Sequence, residues 1–321
     1  MTRWSAPGKL FLFGEYAVLG SAWSIVCAVD RRVFAEVRPG DAYTIDGAEA
    51  SPDLPGRVLQ EASSTIDIRT VHCDVTSIYE QGQKLGLGSS AASCAAIAAL
   101  ALGGGSSPDR VFEVAGRAHR AFQGGRGSHA DVATSVFGGL LAYRLKEPVA
   151  PFPRLAAGAL AGQRDVAFAE IVELTWPETA RARAFWLGKP AYSPELIGRV
   201  EPAVASGESA ALTALEQIAV SSEMALAALT GGADITEAVT AGHEAMVALG
   251  TATGAPIVTP EALDVFESAR RAGISGKMSG AGGGDFVLLV GPHSAAWATL
   301  QEAHPGLWVD LSFDVPGVRA E

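Results

Sequence analysis

The sequence predicts an α+β protein of two domains, and three observations carry that reading. At 321 residues the chain exceeds the roughly 100–200 residues of an ordinary domain. Both halves interleave β-branched and aromatic runs with helical stretches, which mixes strand and helix in each. A Pro- and Gly-rich segment, PVAPFPRLAAGALAG, separates the halves, so the expected domains are residues 1–160 and 161–321.

From Lys9 to Val37, the runs LFLFGEYAV, WSIVCAVD and RRVFAEV are broken by Gly14 and Gly20 and predict strands of a meander. Residues 40–56 read as loop and turn, PGRVLQEASSTI as a helix, and VHCDVTSIY as a further strand. Ser89–Leu102 predicts an alanine-rich helix that starts at a glycine loop and stops at Gly103–Gly105. A second helix follows over Pro108–Gln123, capped by Ser106 or Ser107, and GGLLAYRL reads as a strand. The second half predicts strands near Ala167–Leu174 and at ARAFWLG, then helices at 193–204, 209–229, 235–249 and 260–272. It closes with strand DFVLLVG, helix SAAWATLQEAH and strand LWVDLSFDV.

Composition narrows function. Acidic residues outnumber basic ones 35 to 24, a net charge of −11, so the footprint of a nucleic-acid binder or a polybasic membrane protein is missing. The long apolar run Ala91–Leu102 is far shorter than the roughly 20 residues of a membrane span. Cys27, Cys73 and Cys94 are odd in number and scattered, which suggests buried thiols rather than disulfides or a metal site. The start MTRWSAPGKLFLFGEY lacks the pattern of a secretory signal, so a cytoplasmic location is expected, with monomer and homodimer both open.

Glycine, 37 of 321 residues, is enriched over the usual ~7%, and it is clustered. KLGLGSSAA places Gly86 and Gly88 before Ser89, Ser90 and a long helix. Close backbone approach, open amides and the helix dipole make such a loop an anion site, and a serine hydroxyl can reach Mg²⁺. A plain serine-capped core helix is the alternative. No GK pair is followed by Ser or Thr, so this is not a Walker loop. GLGSSA also fits a dinucleotide fingerprint with Asp109 downstream, but polar YEQGQ stands where a buried strand should lead in. SGKMSGAGGGD, with Lys277 and Asp285, is a second glycine loop suited to ligand contact. FQGGRGSHADVATSVFGG gathers Arg126, Ser128, His129 and Asp131. Ser128, His129 and Asp131 are too close in sequence for a hydrolase triad; an N-cap role for Asp131 is the structural alternative.

In order along the chain, APGKLFLFGEYAVLG, KLGLGSSAA and KMSGAGGGD resemble the three motifs of the GHMP small-molecule kinases, spanning residues 6–285. The resemblance implies a ribosomal-protein-like N-terminal domain and a ferredoxin-like C-terminal domain, with ATP and acceptor between them. Four details are similar to phosphomevalonate kinases rather than mevalonate kinases: Lys84 before LGLGSS, Asp285 ending SGAGGGD, GSHADVATSVFGG in place of P-S-G-x-D-N, and FWLGKPAYSPELIGRV.

By that resemblance, Gly86, Leu87, Gly88, Ser89, Ser90 and Ala91 wrap the triphosphate, with Ser89 or Ser90 near Mg²⁺. Lys9, Asp131 and Lys84 would be catalytic. Lys9, Lys84, Ser128, His129, Asp131, Lys189, Ser193, Ser279, Gly280, Ala281 and Gly282 would bind a phosphorylated acceptor. Two polyanions side by side demand cations, and Lys9, Lys84, Arg126, Lys189 and Lys277 all border glycine or proline loops. One departure is Arg120, which stands where mevalonate kinases carry a metal-binding glutamate.

Overall fold

The computed structural model describes residues 3–80, 82–232, 234–305, 308–309 and 312–321. The N-terminal part contains β1 (Trp4–Phe13), β2 (Ser24–Val37), β3 (Thr44–Ile45), β4 (Ala48–Glu49), α1 (Asp53–Glu61) and β5 (Val71–Asp74). A small hairpin of β6 (Tyr79–Glu80) and β7 (Gln83–Lys84) follows. Then come α2 (Ser89–Leu102), α3 (Pro108–Phe122), α4 (Ala130–Phe137) and β8 (Leu140–Leu145). The two runs expected as separate strands over 23–37 form the single strand β2. Asp30 and Arg31 are left unopposed between the pairs Gly8↔Val29 and Pro7↔Arg32, so a bulge absorbs the polar pair without ending the strand. VHCDVTSIY is strand only to Asp74. The Asp74 carboxylate then accepts from the Thr76 N–H at 3.1 Å and its hydroxyl at 2.6 Å, which turns the chain into a short 3₁₀ segment.

The sheet runs on past residue 160. β9 (Arg164–Asp165) and β10 (Ala169–Leu174) complete it in the order β4-β3-β5-β2-β8-β10-β9, and β1 lies on the opposite edge of β2. Only at β11 (Ala180–Trp186) does the chain enter the second sheet. There α5 (Ser193–Ala205), α6 (Ser209–Gly231), α7 (Ile235–Thr253) and α8 (Pro260–Arg271) precede β12 (Ser275–Met278), β13 (Phe286–Pro292) and α9 (Trp297–Ala303). The sheet order is β11-β13-β12, all antiparallel. Finally β14 (Arg319–Ala320) returns to β1. Of the strand expected over 307–315, Leu307, Asp310 and Leu311 lie outside the described residues; Trp308 and Phe313 make isolated bridges to Phe185 and Val29.

The sheet's helical side is filled by α2, whose residues Ala91–Ala99 are all buried. An alanine-rich helix has no polar face to keep in water, and its small side chains let it sit close to β1 and β2. The 23-residue α6 is long and apolar enough to cross a membrane by composition, a feature the sequence reading passed over. It packs on α7 and reaches β1 and β2, with half of its apolar window buried in the protein.

Candidate active site

The site begins with irregularities in β1. Gly8 meets the bulge of β2, and a side chain there would lie 2.9 Å from the Leu87 carbonyl, so the glycine loop can approach only because position 8 is bare. The Lys9 amide donates to that same carbonyl at 2.9 Å. Further along, Phe11↔Val26 is followed by Phe13↔Ile25, which leaves Leu12 as an extra residue. The Leu12 carbonyl accepts from Lys277 Nζ at 2.7 Å, and the Phe11 carbonyl accepts from Ser279 Oγ at 2.8 Å. The bulged strand is thus the shelf on which the third glycine motif docks.

The helix α2 starts from Gly88 in the left-handed conformation, φ +75, with no side-chain cap. The serine-cap alternative does not hold, and the first amides of α2 have no intrahelical partner. A side chain on Gly88 would meet Lys9 Cγ and Cε at 3.1 Å, so the lysine stem runs directly beneath the loop. Lys9 Nζ lies 3.4 Å from Asp131 Oδ1, with the two side chains 12% and 35% exposed. Asp131 sits in the first turn of α4, and the N-cap is His129, not Asp131. Ser90 Oγ is 3.1 Å from His119 Nε2, and burial holds the His119 imidazole below its ordinary pKa. Arg120 Nε donates to the Gly125 carbonyl at 3.0 Å and so pins the glycine loop before α4.

Two cavities meet at the Lys9–Asp131 pair. A wide cleft of about 700 Å³ takes in Lys84, Gly86, Gly88, Ser89, Ser90 and Asp285. A small pocket of about 130 Å³ takes in Tyr16, His119, Ser128, His129 and Ile197. Lys9, Gln123, Arg126, Asp131, Ser193, Gly280 and Ala281 border both. Ser279 borders the wide cleft.

Asp285 packs directly against the loop. A side chain on Gly86 (φ +70) would lie 2.1 Å from Asp285 Cγ, so glycine there is obligatory. Asp285 Oδ1 accepts from the Ala191 amide at 3.0 Å. Burial pushes the Asp285 carboxyl up to about 6, opposed by that amide and by Lys9 and Lys84.

Several expected residues lie elsewhere. Lys277 does not join the cationic set: its ammonium and Glu15 form an ion pair with both side chains 1% exposed, and it also donates to the Leu12 and Met278 carbonyls. Its ammonium sits 5.3 Å from the Phe13 ring centre. Burial pushes the Glu15 carboxyl up and the Lys277 ammonium down, and each charge opposes the other's neutralisation. Lys189 is on the surface, 45% exposed, paired with Glu261 at 3.2 Å, and only its carbonyl turns inward, accepting from the Asp285 amide. Leu87 and Ala91 are fully buried and can offer a ligand only backbone. Gly282 packs against Ile257, where a side chain would lie 2.3 Å from the carbonyl. The sequence reading missed His119, on α3, and Gln123, the C-cap four residues on, which both border the small pocket. It also missed Glu15, which shows no polar partner until the third motif folds onto it.

With this geometry in hand, the similarities to known proteins are informative. A model of the GHMP kinases N terminal domain matches residues 56–139, and one of the GHMP kinases C terminal matches residues 225–305. A mevalonate kinase of Methanothermobacter thermautotrophicus is 30% identical over 310 residues, covering 88% of each chain. A phosphomevalonate kinase of Streptomyces sp. (strain CL190) is 28% identical over 335 residues, covering 87% of each. In structure, Streptococcus pneumoniae phosphomevalonate kinase in complex with phosphomevalonate and AMPPNP superposes with a TM-score of 0.77 at 20% identity, covering 98% of this chain and 100% of the other. L. major mevalonate kinase in complex with R-mevalonate gives 0.68 at 15% identity, covering 97% and 95%.

Proposed function

The chain belongs to the GHMP kinase family of ATP-dependent phosphotransferases, and from that premise we propose that its acceptor is phosphomevalonate, converted to diphosphomevalonate in isoprenoid synthesis. The observation that carries the reading is the charge arrangement of the joined cavities. Lys84 borders the wide cleft beside the glycine loop, and Arg126 and Lys9 border the junction with the small pocket. A chain of net charge −11 that gathers cations at one junction is suited to seating two polyanions together.

In this reading the triphosphate lies along Gly86–Ala91 and the acceptor phosphate reaches the Lys9–Asp131 junction from the small pocket. Lys9 stabilises charge that develops on the transferring group. The second ionisation of a phosphate monoester lies near pH 6, so the acceptor is already a nucleophile at neutral pH. Asp131, 3.4 Å from the ammonium, then orients Lys9 rather than removing a proton. Among the described residues no three His, Cys, Asp or Glu side chains come together to hold a metal. That fits Mg²⁺ carried chiefly by phosphate oxygens and water, with Ser89 and Ser90 as the hydroxyls that would hold it. When bound, the ion supplies neutralisation of phosphate charge. We assign the reaction to the cytoplasm, with one chain or a homodimer as the working unit.

Mevalonate is the second reading, favoured by the 30% identity to the Methanothermobacter mevalonate kinase. ADP release measured over a panel of acceptors separates the two, and faster turnover of mevalonate than of phosphomevalonate would overturn the assignment. Lys84→Ala sharpens the test. It is expected to raise KM about tenfold more for the phosphorylated acceptor than for mevalonate, the loss of one charge-assisted contact, and equal losses would count against Lys84 as a phosphate ligand.

A further inference from the structure

Arg126, among the cations that meet at the joined cavities, has little support from its own segment. Gly124, Gly125 and Gly127 around it are all left-handed, φ +69, +84 and +94, a backbone that brings no neighbouring side chains to pack against the arginine. The Arg126 side chain is 57% exposed. Its charge is met from the other lobe, where Glu201 Oε2 on α5 lies 3.8 Å from Nη2. Ser193, Pro194 and Ile197 of α5 wall the small pocket, and Glu201 stands four residues past Ile197, one turn further along the same side of the helix. The Glu201 side chain is 19% exposed, and among the described residues Arg126 is its one ion-pair partner. A carboxylate so shielded and so singly paired has a use for that pairing.

The length of the contact says what that use is. Other arginines close on their carboxylates to hydrogen-bond distance: Arg110 on Glu113 at 2.7 Å, Arg154 on Glu147 at 2.7 Å and Arg199 on Glu195 at 2.8 Å. Arg126 stops at 3.8 Å, where the charges attract but no N–H is taken up. The guanidinium therefore keeps its fork of donors for a second anion while the first decides where it points. Arg126 borders both cavities, whereas Glu201 lines neither. We infer that Glu201 is a positioning residue: it holds the Arg126 guanidinium at the cavity junction, ready for the doubly charged phosphate of the acceptor, and does not touch the acceptor itself. The inference rests on the phosphorylated-acceptor reading and deepens it by naming what keeps the arginine in place.

A double-mutant cycle tests this. Glu201→Gln removes the charge and keeps the side-chain volume and a good helix former, so the fold is not at stake. Steady-state kinetics with ATP and phosphomevalonate should show the acceptor KM rising about threefold to fivefold, the range for losing a partly exposed ion contact, with a smaller change in kcat and in the KM for ATP. In an Arg126→Ala background the same substitution should leave the acceptor KM where Arg126→Ala alone puts it, because a residue that acts through the arginine has nothing left to act on. An unchanged KM in Glu201→Gln overturns the inference. A lower KM overturns it too, since the carboxylate would then compete with the acceptor for the arginine. An equal rise in both backgrounds shows that Glu201 acts elsewhere and also overturns it. None of these three results touches the kinase reading. A wild type that turns over mevalonate and not phosphomevalonate overturns the acceptor reading, and this inference with it.

Discussion

Lys9 and Lys277 each follow a glycine, each belong to a glycine-rich motif, and each face a carboxylate, yet the two pairs serve different ends. Lys277 meets Glu15 with both side chains 1% exposed, and two backbone carbonyls complete its hydrogen bonding. Nothing is left for a ligand. The pair fastens β12 to the bulge of β1, and so fixes the second lobe against the first. Lys9 meets Asp131 at a looser 3.4 Å, partly exposed, where two cavities join. Desolvation separates the roles: a charge sealed from water must be wholly satisfied by the protein, while one at a cavity wall keeps capacity for a ligand.

This contrast can be broken experimentally, beginning with the buried pair. Lys277→Met leaves Glu15 buried without a counter-charge and should cost about 3–5 kcal/mol of stability in urea unfolding. Adding Glu15→Leu should recover most of that loss, and a single variant as stable as wild type would remove the pair from the account of lobe docking.

Lys9→Ala should do the reverse. Turnover is expected to fall by about 10²–10³, or roughly 3–4 kcal/mol on the barrier, the range for deleting one preorganised electrostatic contact. Its effect on stability should stay within ~1 kcal/mol, as for other partly exposed pairs. Near-normal kcat would take Lys9 out of the chemistry.

Asp285 lies between the two extremes. Its carboxyl titrates at about 6 in the folded protein against an ordinary 3.8, so between those values the folded state holds more protons than the unfolded one. Stability attributable to this group is therefore present at low pH and lost as pH rises through about 6. Asp285→Asn should stabilise the protein by about 2 kcal/mol more at pH 7 than at pH 4, read from unfolding midpoints. A pH-independent difference would mean the carboxylate is better compensated than its burial implies. The smallest effect sets the scale: Ser107→Ala removes an N-cap that accepts from the Arg110 amide at 3.3 Å and should cost about 1 kcal/mol with kcat untouched.

Much of this was legible in the chain. Gly88, Ser89 and Ser90 fall where the loop and helix expected at KLGLGSSAA put them, because glycine conformation and helix starts are local matters. Ser107 caps α3 for the same reason. The cleft borders that come from Lys9, Asp131, Lys84 and Ser279 follow motifs whose order along the chain carried the resemblance. By contrast, Lys189 looked like a site lysine and turned outward to Glu261, and Lys277 turned inward to Glu15. A lysine's sequence context does not reveal which carboxylate or carbonyl the rest of the fold brings to it.

The sequence by itself determined the α+β class, nearly all the helices, the glycine cradle and the family, since these depend on periodicity, backbone freedom and short spacings. Only the tertiary structure decided which cations share a cavity, that the first sheet claims residues 164–174, and that Arg126 and Glu201 meet across the two lobes. Burial and pairing join residues 262 positions apart in the Glu15–Lys277 bond and 316 apart in the Ser5–Glu321 bond, and solvent exclusion, which sets charge and hydrogen-bonding capacity, exists only once those segments are packed.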